Sequence, residues 1–148
     1  MTFFNPHTDR LDLESQSRYY AHLSTMGLAG LVVLGTNAET FFLTREERKM
    51  LVTAARKAVG PTFPIMAGVS GNSTRQVLEH IEDASDAGAD SVLGLPPAYF
   101  GLSTTPQVFE NFFAGLSEQS ALPIVVYNFP VVPGVGRKNF GGPRKGIL

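Results

Sequence analysis

The stretch Pro123-Ile124-Val125-Val126-Tyr127-Asn128-Phe129-Pro130 opens on an apolar run and closes on a phenol followed by turn-forming residues. The run is continuous rather than alternating, which is the pattern of a parallel strand covered on both faces. Three earlier runs read the same way, at residues 31–34, 64–67 and 91–95. With residues 123–127 as the fourth, the starts lie 33, 27 and 32 residues apart. That is the length of one strand–helix–strand crossover.

Helices fill the gaps. Thr44-Arg45-Glu46-Glu47 has the form of a capping box, after which Met50, Leu51, Ala54, Ala55 and Ala58 make an apolar stripe up to a stop at Gly60. Ser73-Thr74-Arg75-Gln76 is a second box, followed by Val77, Leu78, Ile81 and Ala84 and a stop at Gly88. Thr105-Pro106 supplies an N-cap and a first-turn proline, with Val108, Phe109, Phe112, Phe113 and Leu116 facing inward. An earlier helix starts near Asp12 and uses Leu13, Tyr20, Leu23 and Met26 before Gly27, and Phe3-Phe4 reads as the tail of a further strand. Alternation of this kind makes an α/β fold with a parallel sheet. The choice is between an open doubly wound sheet and a (β/α) barrel. A full barrel takes about 250 residues, and this chain has 148.

Bulk properties bound the function. The net charge of −1 draws the chain neither to nucleic acid nor to anionic lipid. With no cysteine, disulfides, thiolate metal sites and a cysteine nucleophile are excluded. The longest apolar run, Leu31-Val32-Val33-Leu34, falls far short of the ~20 residues a membrane-spanning helix needs. The start, Met1-Thr2-Phe3-Phe4-Asn5-Pro6, has neither the basic flank and apolar core of a secretory signal nor an Arg-rich character. A soluble cytoplasmic protein is the default, with mitochondrial residence open. Residues 134–148 differ from the rest: five glycines, one proline, and four bases (Arg137, Lys138, Arg144, Lys145) with no acid. They read as a solvated basic tail after an incomplete barrel domain at 1–133, and not as a nucleic-acid patch.

Polar, glycine-rich segments follow each strand: Gly35-Thr36-Asn37-Ala38-Glu39, Gly68-Val69-Ser70-Gly71-Asn72-Ser73, Pro96-Pro97-Ala98-Tyr99-Phe100 and Asn128-Phe129-Pro130. Ligands of parallel α/β folds bind at the carboxyl ends of strands, so these four segments would line one face. A hydroxyl, an amide and free backbone N–H groups in the first segment can hold a small carboxylate. Pattern alone favours a plainer reading, with Gly35 in a tight turn, Asn37 as a cap and Glu39 in solvent. Tyr127 and Tyr99 are either packed rim tyrosines or members of a proton relay. The segments carry no phosphate-loop lysine, dinucleotide fingerprint or Gly-x-Ser-x-Gly elbow. His7, His22 and His80 lack ligand spacing, so neither a metal nor a cofactor is expected.

Taken in order, Gly35-Thr36-Asn37-Ala38-Glu39, Leu43-Thr44-x-x-Glu47-Arg48, Ala67-Gly68-Val69, Asp86-Ala87-Gly88-Ala89-Asp90, Pro96-Pro97-Ala98-Tyr99-Phe100 and Tyr127-Asn128-Phe129-Pro130 resemble the dihydrodipicolinate synthase / N-acetylneuraminate lyase family of class I aldolases. The first segment looks closest to fungal and 4-hydroxy-2-oxoglutarate aldolase-like members, and the resemblance runs from about Thr2 to about Gly134. It implies a (β/α)8 TIM barrel of which this chain holds roughly the first half, and assembly as a homo-oligomer. It implies chemistry through a Schiff base between a strand-borne lysine and pyruvate or another 2-oxo acid, the imine acting as electron sink for making or breaking a C–C bond. In the same terms Thr36 holds the substrate carboxylate and relays protons. Tyr127 shuttles the proton, and Tyr99 completes the relay across a subunit interface.

The sequence departs from the family pattern at Asn37, which replaces a threonine and can bind a carboxylate without relaying a proton in the same way. Ala38 replaces a glycine, and Val132 stands where bacterial synthases carry an arginine for a second carboxylate. These changes point away from dihydrodipicolinate synthesis and toward another 2-oxo acid. Another helix and strand take roughly 30 residues, and 21 follow Tyr127. The four lysines, Lys49, Lys57, Lys138 and Lys145, sit on a helix or in the basic tail and none ends a strand. The expectation is therefore a chain inactive alone. The competing expectation is a non-catalytic half barrel, a gene-model or splice fragment, that pairs with itself or an intact homologue through its open sheet edges.

Overall fold

The structure, a computed structural model, describes residues 1–99 and 105–128. Four parallel strands, β1 (Leu31–Val33), β2 (Ile65–Gly68), β3 (Ser91–Gly94) and β4 (Ile124–Val126), lie side by side in chain order. Helices α1 (Leu13–Ser24), α2 (Arg45–Val59), α3 (Thr74–Asp86) and α4 (Pro106–Gln119) precede them in turn. A doubly wound sheet reverses its strand order at a switch point. Among the described residues the order never reverses, and only one sheet face is packed. That arrangement is an arc of a (β/α) barrel, and the open-sheet alternative is dismissed.

Register fixes which side chains share a face. Val33, Ala67, Val92 and Ile124 stand in one row across the sheet and are all buried against the helices. Val32 and Met66 are paired on the opposite face, as are Gly68, Leu93 and Val125. Val32 is 58% exposed. The apolar runs therefore anticipated two covered faces, while among the described residues only the helical face is covered. Pro64 and Pro123 lie just outside the strands, since a proline has no N–H to donate. Their carbonyls still accept from Leu31 and Val92 at 2.9 Å each. Phe4 forms an isolated antiparallel bridge with Leu11, so the expected strand tail at Phe3-Phe4 is a local turn instead.

Helix starts follow local chemistry. Thr44 and Glu47 close a reciprocal capping box on α2. Ser73 accepts from the Gln76 N–H, but the Gln76 side chain accepts from Asn72 N rather than from Ser73, so the second box is half formed. Thr105 caps α4 with Pro106 at its first turn. The buried stripe of α2 is Arg48, Leu51, Val52 and Ala55, with Met50 turned outward, so the anticipated phase was off by part of a turn. Val108 and Met26, expected to face inward, are exposed.

Arg56 ties the amino-terminal ends of the strands together. Its guanidinium donates to the carbonyls of Gly88, Gly60 and Phe63 at 2.7 to 2.8 Å and pairs with Asp90 at 2.7 Å. Asp90 in turn accepts from Ile65 N.

At the other end β1 and β2 approach so closely that Gly68 has no room for a side chain. A Cβ there would sit 1.9 Å from the Leu34 carbonyl oxygen. Leu34 adopts φ +63°, a left-handed conformation that turns the chain off the strand end. Gly68→Ala should therefore force the two backbones apart and cost about 3 kcal/mol or more. Urea unfolding of the two forms checks this; a loss below about 1 kcal/mol would contradict the close approach.

Candidate functional site

The carboxyl end of β1 leads through Leu34 and Gly35 into a single 3-10 turn, Thr36–Ala38. Its carbonyls are spoken for, with Ala38 N donating to Gly35 O at 2.9 Å and Glu39 N to Thr36 O at 3.1 Å. The leading N–H groups, those of Thr36 and Asn37, have no acceptor inside so short a turn. Glu39 then takes φ +58° and starts a second 3-10 turn, Thr40–Phe42. Thr2 anchors the loop from outside by donating from its hydroxyl to Ala38 O at 2.6 Å.

This loop walls a cleft of about 440 Å³ that opens on the helix-free face of the sheet. Val32, Leu34, Leu93 and Leu95 are its apolar lining, Thr36, Asn37, Thr40, Ser70 and Tyr127 its polar lining, and Gly68 borders it too. Its size and lining suit a small ligand with one polar end. Ser70 is committed to structure, since its hydroxyl accepts from Leu95 N at 3.0 Å. No ionisable side chain among the described lining residues is stronger than a phenol.

The cleft thus gathers Thr36 and Asn37 from behind β1 and Tyr127 from the end of β4, where its N–H donates to Gly94 O at 2.9 Å. Thr36 and Asn37 are exposed, and Tyr127 is 43% exposed. Asn37 lies inside its turn and does not cap it; Gly35 occupies the cap position with no side-chain bond. Tyr99 follows β3, is 80% exposed, and does not line the cleft. Val132, Lys138, Lys145 and the 133/134 domain boundary lie outside the described residues. Among the described residues, no three His, Cys, Asp or Glu side chains group as metal ligands, and no helix is long and apolar enough to cross a membrane.

Two residues escaped the reading from sequence, Thr40 in the cleft wall and Arg48 behind it. Thr40 is buried, and its hydroxyl has no hydrogen-bond partner among the described residues. Leaving a hydroxyl so costs about 1 to 3 kcal/mol. Arg48 is 7% exposed on α2 and donates to Gly68 O at 3.0 Å and Thr40 O at 3.4 Å. Burial draws its pKa down to about 10 against a favourable pull from Asp83, so it stays cationic at neutral pH. A phase count on α2 was the available signal, because Arg48 falls on the same face as Leu51, Val52 and Ala55.

Beside Arg48, Arg45 grips Asp83 through two nitrogens, and Lys49 pairs with Asp86 at 2.9 Å. The Arg45 contact holds the Asp83 carboxyl below the usual range. His80 is half-buried with Nδ1 3.4 Å from Val69 O, and burial, then the charge of Arg48, lowers its pKa below 6.5. A base whose folded pKa is lowered contributes stability that is full above its unfolded pKa and is lost as pH falls through the folded value. Stability should therefore decline on acidification below pH 6.5, and His80→Gln should flatten that decline. Urea midpoints measured from pH 7 to pH 5 test it; identical slopes for both proteins would refute the assignment.

The comparisons agree with this geometry. Residues 1–136 match the model of the dihydrodipicolinate synthetase family. A Coccidioides immitis protein provisionally named a mitochondrial 4-hydroxy-2-oxoglutarate aldolase is 67% identical over 132 residues, covering 89% of this chain and 42% of its own. An Aspergillus niger L-threo-3-deoxy-hexylosonate aldolase is 36% identical, covering 88% and 40%. A crystal structure of a Coccidioides immitis protein of the dihydrodipicolinate synthase family superposes with TM-score 0.85 at 65% identity, covering 89% and 42%. YagE of E. coli, solved in complex with pyruvate, gives 0.81 at 28% identity, covering 90% and 44%. The chain spans about two-fifths of the length of these relatives. It belongs to the dihydrodipicolinate synthetase family, and its sheet is part of that family's TIM barrel.

Proposed function

We propose that this member of the dihydrodipicolinate synthetase family carries the carboxylate-binding and proton-relay part of a Schiff-base aldolase or lyase acting on pyruvate or another 2-oxo acid. The observation that carries the reading is the cleft itself, which places Thr36, Asn37 and Tyr127 around one space at the carboxyl ends of the strands. Thr36 and Asn37 hold the carboxylate through hydroxyl, amide and free backbone N–H groups. Tyr127 passes a proton to or from the substrate oxygen from the other side of the cleft. Tyr99, exposed after β3, joins the relay across a subunit interface in an oligomer. Asn37 directs the site away from the synthase substrate and toward a 4-hydroxy-2-oxoglutarate-like aldol, the activity in the name of one relative. The same name carries the word mitochondrial, which supports that compartment over the cytoplasm.

An imine needs an amine that is neutral when it attacks, and burial is what lowers a lysine pKa. Lys49 and Lys57 lie on α2, on the far side of the sheet, and neither lines the cleft. Contact with Asp86, first by hydrogen bond and then by charge, raises the pKa of Lys49 and so disfavours its neutral form. Lys138 and Lys145 belong to the glycine-rich basic stretch, whose sequence predicts solvated, protonated amines, and we therefore infer that the 148-residue chain by itself binds a 2-oxo acid without trapping it covalently. Incubation with pyruvate and borohydride, followed by intact-mass measurement, should leave the mass unchanged. A stable reduced adduct on any lysine would overturn this. The competing reading, a half barrel without a working site, expects no pyruvate binding at all.

A further inference from the structure

We propose that Arg48 is a positioning residue for this site: it supplies, from behind the cleft wall, the positive charge that no described side chain lining the cleft provides. The inference rests on the reading of the cleft as a 2-oxo acid site. A carboxylate leaving water needs a compensating charge or several strong donors. Among the described residues, the cleft lining includes no lysine, arginine or histidine. Among the described residues Arg48 is the one buried basic side chain, and its hydrogen bonds there go to backbone carbonyls of cleft-lining residues, Thr40 and Gly68.

The charge on Arg48 is not consumed where it sits. Among the described residues no carboxylate lies within ion-pair distance of it. Arg45, Lys49, His80 and Asp83 border the same small cavity on the helix side. Asp83, the one acid among them, is already held by Arg45 and Lys49. Carbonyl oxygens satisfy the guanidinium donors without cancelling the charge. An uncompensated buried cation is costly to a fold. It is retained at low cost to function where an anion completes it, and a weakly polarisable wall lets its field reach across. A carboxylate held at Thr36 and Asn37 lies on the other side of Leu34 and Gly68, both of which border the cleft and the cavity. The same two bonds also fix the second 3-10 turn to the end of β2, so a purely structural role for Arg48 is the competing account.

Charge separates the two accounts. The full chain is titrated calorimetrically with pyruvate and with pyruvamide, a neutral ligand of the same shape. Arg48→Gln should weaken pyruvate binding about tenfold while pyruvamide changes less than about twofold, and Arg48→Lys should restore most of the loss. Equal weakening of both ligands, or of neither, overturns the proposal. Should Arg48→Gln not fold, Arg48→Lys is read alone: it keeps the charge and loses the forked bonds to Thr40 and Gly68, so pyruvate binding should stay within about threefold of the unmodified chain; equal and larger weakening of pyruvate and pyruvamide overturns the proposal too. Met1 also borders the cleft, but its amino group is common to every variant and cancels in the comparison. The underlying reading fails separately. If the unmodified chain holds acetate as tightly as pyruvate, the keto group is not recognised and the 2-oxo acid assignment falls, while the Arg48 effect is still read on acetate against acetamide. Absence of any carboxylate binding overturns both.

Discussion

Everything at the functional end of this sheet depends on the contact between Gly68 and the carbonyl of Leu34. The two backbones meet where a Cβ would lie 1.9 Å from that oxygen, so only hydrogen fits. The approach is possible because Leu34 leaves the strand in a left-handed turn. That turn throws Gly35 and the Thr36–Ala38 turn over the strand ends instead of letting the chain run on past them. Without it, Thr36 and Asn37 would have no fixed relation to the end of β4 and Tyr127.

The helix behind the contact works at both ends of the sheet. Arg56 gathers three carbonyls and Asp90 beneath the amino-terminal ends of β2 and β3. Arg48, about 12 Å up the same helix at 1.5 Å per residue, bonds Gly68 and Thr40 at the carboxyl ends. The division matches what a barrel asks of its two faces, stability at one and ligand contact at the other. It also gives different meaning to two chemically identical side chains. Arg56 has a carboxylate partner, so its charge is spent locally; Arg48 has only carbonyls, so its charge remains available to a ligand.

Much of this was legible in the residues. Continuous apolar runs at crossover spacing gave the strands to within one or two residues, and caps at Thr44, Ser73 and Thr105 marked three helix starts. The ordered motifs around Thr36, Tyr99 and Tyr127 pointed to the family that the comparisons then showed. What stayed hidden depended on three-dimensional phase. Arg48 reads as a surface cation until its helical face is counted with Leu51, Val52 and Ala55. Apolar runs report that a strand carries hydrophobic side chains, not which face is covered; hence Val32 was expected inside and stands 58% exposed. Thr40 drew no notice because no local motif announces the burial of its hydroxyl.

The central claim is that the loop held over Gly68 forms a carboxylate site shared with Tyr127. Amide spectra of the ¹⁵N-labelled chain recorded during pyruvate titration test it most directly. Shifts should concentrate at Gly35, Thr36, Asn37, Gly68 and Tyr127, leaving Arg56, Asp90 and the amino-terminal strand ends unmoved. Shifts centred on that opposite end, or none at millimolar pyruvate, would contradict the account.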